Sequence, residues 1–168
     1  MLRALQRYRL SVGIFSVFVL MGLLARYAIG TVYSTGEAID LMSSLADSGL
    51  YLGSASATAS ATIIALMLTL TGMIRRMDAD FDHQVWISID RVSQLSILSL
   101  IASLTLLLML VFPIGEFEKL PPRWFVILYD LLFALTVLVI ALLAATAVML
   151  YTTLRTVIIA ITPNVDDV

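Results

Sequence analysis

The chain has no cysteine. That excludes disulfides, thiol catalysis, Cys-ligated zinc and iron–sulfur clusters, and it leaves the redox compartment open. It has one histidine, His83, which lies in an Asp-rich stretch. A nucleophile needs a base beside it. No Ser/His/acid set can be brought to one level with His83 on one side of the chain's apolar spans and Asp130 near the other, so no enzyme is expected. Charged residues make up only 13% of the 168 residues, with a net charge of -2. No Lys/Arg cluster is present to grip phosphates, so nucleic acid is excluded as a partner. Only 4 prolines interrupt the chain.

What remains is apolar. Hydrophobic residues account for 61% of the sequence, and the mean hydropathy is +1.03. A soluble domain of this size cannot hide so much apolar surface, so the expected solvent is a bilayer. In lipid every backbone N–H and C=O must be satisfied within a helix or a closed barrel. Barrel strands alternate over about ten residues. The apolar stretches here are continuous and far longer, so they read as helices. The expected fold is all-α: a single four-helix transmembrane bundle over 1–168, with a short outer amphipathic helix and a long fourth helix.

The first span is expected at 10–33, after Arg3, Arg7 and Arg9. No small-x-small site closes that run and Arg26 interrupts its end, so it reads as an uncleaved spanning helix rather than a signal peptide. Residues 34–49 are polar and acidic. Ser34 and Glu37 have the spacing of a capping box. Ala38, Leu41, Met42 and Leu45 recur at helical spacing, and Gly49 can stop the turn. This segment predicts a short amphipathic helix on the membrane surface. The second span is expected at 50–74, closed by Arg75 and Arg76. The third covers 91–112, closed by Pro113 and Gly115. The fourth apolar stretch runs from Trp124 to Ile161 without a breaker. About 25 residues suffice to cross a bilayer even with tilt. The fourth span is therefore placed at 124–149, with a helical extension over 151–163 that projects beyond the lipid or lies along its surface, where its apolar side chains can pack on another chain. The tail 164–168 reads as loose.

Orientation follows from Lys and Arg. With the N-terminus inside, Arg3, Arg7, Arg9, Arg75, Arg76, Arg91 and Arg155 fall on the inner side. Arg26, Lys119 and Arg123 fall on the outer side or its margin. The bias places both termini in the cytoplasm of a multi-pass protein of the cell membrane.

Three features are candidates for a site. In the second span Gly53, Ala57, Ala61 and Ala65 repeat every four residues, with Ser54, Thr58, Thr62 and Thr69 beside them. Small residues let helix backbones approach where lipid supplies little hydrophobic drive. The first reading is a helix–helix seam, within the subunit or between subunits, and the second a hydroxyl-lined water or ion path. Ser93, Ser96, Ser99 and Ser103 form a matching side of the third span, and the two faces are expected to pack together or, in an oligomer, to line a shared cavity. The second feature is Arg26 with Asp130, both roughly 8–10 Å below the outer interface. Equal depth and opposite sign point to an ion pair between the first and fourth helices, with the guanidinium offering two prongs to the carboxylate. The third is the Asp78–His83 loop, which starts like an EF-hand. Calcium loops need Gly at the sixth position and Glu at the twelfth. Here those are His83 and Ile89, so no metal site and no cofactor is expected.

The function expected is an assembly subunit that binds the lipid bilayer and either copies of itself or another membrane-protein subunit. The alternative is a subunit of a homo-oligomeric channel or transporter. The first is preferred because the sequence has no polar ring, broken helix or inverted repeat of the kind selective transport uses.

Overall fold

The computed structural model describes residues 2–29, 35–76, 83–111 and 122–161. These form α1 (Leu2–Ile29), α2 (Thr35–Arg76), α3 (His83–Val111) and α4 (Pro122–Ile161), and no strand occurs among them. Each helix is long and apolar enough to cross a membrane. The helices run alternately up and down. α4 is central: it packs on α1, α2 and α3, while α2 and α3 pair closely with each other.

The buried positions explain this arrangement. On α2 the line facing the bundle is Gly49, Gly53, Ser56, Ser60, Ile63, Met67, half-buried Leu70 and Ile74. On α3 it is Val85, Ile89, Val92, Ser96, Ser99, Ser103, Leu106 and half-buried Leu110. Both lines advance in alternating steps of four and three. That spacing averages 3.5 residues, which keeps one stripe facing a neighbour along a left-handed coil. On α1, Ser11, Phe15, Phe18 and Gly22 follow the same steps. Large side chains fill the two ends of the bundle. Ile63, Met67, Ile74, Val85, Ile89, Val92 and Val157 form one cluster. Leu106, Tyr129, Leu132 and Val139 form the other. Between them the α2–α3 contact is made of glycine and serine.

Two expectations are corrected. No separate surface helix precedes the second span, because Thr35–Arg76 is one helix of 42 residues. Gly49 is not a stop. It lies buried inside α2, and a Cβ there would stand 2.8 Å from Leu110 Cδ1. Its lack of a side chain serves close approach rather than termination. Leu41 and Leu45, taken as the apolar face of a surface helix, pack against the cluster around Tyr129 and Leu132. The second difference is in α4, which is 40 residues long, or about 60 Å. Its C-terminal turns do not leave the bundle: Thr153 and Val157 are buried, and Val157 packs with Ile74 and Val85. The capping residue Ser34, the loop 77–82, the turn 112–121 and the tail 162–168 lie outside the described residues.

Candidate functional site: two faces of α2 and a paired arginine

The α2–α3 contact is built on hydroxyls. Ser56, Ser60, Ser96, Ser99 and Ser103 are buried. Ser60 Oγ donates to Ser99 Oγ at 3.1 Å. Ser103 Oγ lies 2.9 Å from Ser56 Oγ and 2.8 Å from the Ser99 carbonyl. Ser96 donates to the Val92 carbonyl of its own helix at 2.8 Å. Among the described residues no buried side-chain N or O lacks a partner. The pairing can sit in an apolar core because a buried hydroxyl is costly only when unmatched. Gly53 brings the helices close enough: a Cβ there would stand 2.9 Å from Leu107 Cδ2.

Within the chain, Ser99 and Ser103 of α3 meet Ser60 and Ser56 of α2 and not the row expected to pack there. Of the residues expected on one seam, Gly53 is buried and Ala57 is half-buried, while Ser54, Thr58, Ala61, Thr62, Ala65 and Thr69 are exposed. The cause is geometric. A step of four residues turns the helix by about 400°, so a strict i+4 row drifts about 40° per step off a straight contact line. Gly53 starts at the interface and Ala65 ends outside it. Ser56 and Ser60, the residues that meet α3, were missed. The signal that finds them is the alternation of four- and three-residue steps from Gly49 onward. Ser93 on α3 is half-buried and donates to the Ile89 carbonyl at 3.0 Å.

α2 therefore carries a second small-residue line. Ser54, Thr58, Ala61, Ala65, Leu68 and Gly72 are all exposed. They repeat the same steps of four and three, roughly 140° round the helix from the buried line. No atom would lie within 4 Å of a Cβ at Gly72. The hydroxyls along this face are turned back onto their own helix. Ser54 donates to the Tyr51 carbonyl at 3.0 Å, Thr58 to Ser54 at 2.8 Å, Thr62 to Thr58 at 2.8 Å and Thr69 to Ala65 at 2.9 Å. With their protons used internally, these side chains present small, largely apolar ridges.

α1 is held mainly to α4, and specific contacts are spread along its length. Ser11 Oγ donates to the Ala145 carbonyl at 3.0 Å. Gly22 is buried against Val137, whose branched stem occupies the place a Cβ would take. Arg26 Nε donates to Asp130 Oδ1 at 2.9 Å, and its Nη2 lies 2.8 Å from the same oxygen. The structure thus brings Arg26 and Asp130 together, with both guanidinium nitrogens on Oδ1. The Arg26 guanidinium also lies 5.9 Å from the centroid of the buried Tyr129 ring, within cation–π range. The side chains of the pair are 28% and 45% exposed, so it sits on the flank of the α1–α4 contact. Among the described residues no group of three or more His, Asp or Glu could hold a metal ion. Comparison of the chain with family models, curated proteins and solved structures finds no match.

Proposed function

We propose that the chain is a multi-pass protein of the cell membrane, with both termini cytoplasmic, that acts as an assembly subunit. The outward face of α2 is its docking surface for another transmembrane helix, from a second copy or from a different membrane protein. The observation that carries this reading is the repeated line Ser54, Thr58, Ala61, Ala65, Leu68 and Gly72, exposed and matched in spacing to the line that binds α3. Such a stripe gains little from facing lipid, whose tails pack poorly against small ridges, and gains dispersion and close approach from facing a helix.

Membrane insertion is supported by the ends of the bundle. Exposed Trp124 lies six residues before Asp130, toward that end of α4, and exposed Tyr151 lies near the other end. Trp124 and Tyr151 are about 40 Å apart along α4 at 1.5 Å per residue, close to the thickness of a bilayer with its interfaces. Arg9, Arg75, Arg76, Arg91 and Arg155 are all exposed at the Tyr151 end, which supports a cytoplasmic placement for it.

The channel reading is weaker on these observations. Ser99 and Ser103 of α3 are bonded to Ser60 and Ser56, Ser93 and Ser96 are bonded to their own helix, and the outward hydroxyls of α2 are engaged with their own backbone. The experiment that separates the two is reconstitution of the purified protein. On the assembly reading, Thr58→Leu with Ala65→Leu lowers the associated fraction by cross-linking or energy transfer in liposomes, while Thr105→Leu on the exposed side of α3 leaves it unchanged. Ion flux that responds to Thr58 or Thr62 substitution overturns it in favour of the channel.

A further inference from the structure

We propose that the first turns of α1 form a docking groove for one anionic phospholipid of the leaflet that holds the arginine-rich end. An open groove of about 420 Å³ is lined by Arg9, Leu10, Gly13 and Ile14. That volume falls within the range of about 300–1,000 Å³ usual for small-molecule sites. Its wall is mostly apolar, with one cation. Gly13 forms the floor: no atom would lie within 4 Å of a Cβ placed there. Arg9 stands one helical turn before Gly13 and is exposed at the rim.

The depth of the groove identifies its occupant. The apolar run of α1 follows directly on Arg9, the last of three basic residues Arg3, Arg7 and Arg9, so on the membrane reading its guanidinium stands where hydrocarbon gives way to headgroups. The groove then descends one turn into the apolar zone along Leu10, Gly13 and Ile14. A ligand that fits carries an anion at the interface and an aliphatic chain below it. A phosphodiester accepts two parallel N–H bonds from an arginine, and an acyl chain fills the notch left by Gly13. Exposed Arg75, Arg76 and Arg155 lie at the same end of the bundle. The groove's described lining holds one cation and no acid, which favours a lipid with net negative charge over a zwitterionic one whose own cation offsets its phosphate. A free phosphate ion would meet the arginine and leave the apolar part of the groove unused.

This site rests on the membrane reading above and is independent of the α2 docking face. The test is native mass spectrometry of the full chain in detergent, titrated with phosphatidylglycerol or phosphatidylcholine. The wild type should retain one phosphatidylglycerol in preference to phosphatidylcholine. Arg9→Gln should weaken that retention by about five-fold, the effect of one cation near an anionic surface. Gly13→Leu, whose Cβ would meet no atom, should abolish it. Gly72→Leu, at an equally open glycine on α2, should leave it intact even while it disturbs association. Equal retention of the two lipids, a Gly13→Leu variant that binds like the wild type, or displacement by inorganic phosphate would overturn the site.

Discussion

At the scale of single residues, the glycines of this chain divide by what surrounds them. At Gly22 an added Cβ would meet the branched stem of Val137, which cannot swing aside. At Gly53 it would meet Cδ2 and Cγ of Leu107, whose side chain is unbranched at Cβ and can shift. At Gly72 it would meet nothing. Thermal unfolding in detergent should therefore rank the three alanine variants. Gly22→Ala should cost about 1–3 kcal/mol through overpacking, Gly53→Ala should cost less, and Gly72→Ala should be neutral or stabilising by up to about 1 kcal/mol. The Arg26–Asp130 pair obeys a different logic. With its side chains 28% and 45% exposed, a coupling of about 1–2 kcal/mol is expected, between the ~0.2–1 of exposed pairs and the ~3–5 of buried ones. Asp130→Ala should destabilise, and adding Arg26→Ala should recover part of the loss, because the second change removes a cation left without its partner. A double-mutant cycle that returns no coupling refutes the pairing. The pair was legible in the sequence because depth and sign can be counted from the helix ends. The glycine contacts were not, since which residue of α3 or α4 stands opposite a glycine depends on how the helices are paired.

At the scale of elements, the α2–α3 hairpin is specified by small and hydroxyl-bearing residues in its middle and by large aliphatic ones toward the Ile74–Val85 end. Interhelical hydrogen bonds in membranes are worth about 0.6 kcal/mol on average. Ser60→Ala or Ser103→Ala should thus cost well under 1 kcal/mol in a detergent unfolding series. Ser60→Leu and Ser103→Leu should be far more damaging, because both positions are 0% exposed and the backbones would have to separate. The matched change on the opposite face of α2, Ser54→Leu, should leave monomer stability unchanged. If the two faces respond alike, the division into an inner and an outer stripe is wrong. The serine side of α3 was readable because Ser96, Ser99 and Ser103 share a side at 3.5 as at 3.6 residues per turn. The partner side on α2 was not read correctly, because Gly53, Ala57, Ala61 and Ala65 look like a stripe in one dimension and drift off it in three. The continuity of α2 through Gly49 was likewise hidden. A glycine that stops a helix and one that admits a neighbour are the same letter, and only Leu110 decides between them.

At the scale of the whole molecule, α1 stands apart. It touches the rest mainly through α4, and most of its described side chains are exposed, among them Leu20, Leu23, Leu24 and Tyr27. In water such a helix would not stay folded against the bundle by these contacts alone. In lipid its exposed apolar surface carries no penalty. The protein should therefore remain in the membrane pellet after alkaline carbonate washing, and reporters fused to its two ends should be found in the same, cytoplasmic, compartment. Recovery in the soluble fraction, or ends on opposite sides, would sink the membrane reading. The apolar runs of the sequence determined the helical class and the four helices long enough to cross a membrane, because transfer of apolar surface and the demand for backbone hydrogen bonds are local and additive along the chain. The tertiary structure decided which face of each helix is inside. That choice rests on the 3.5-residue register between helices and on which side chains meet across it, and neither is present in any one segment.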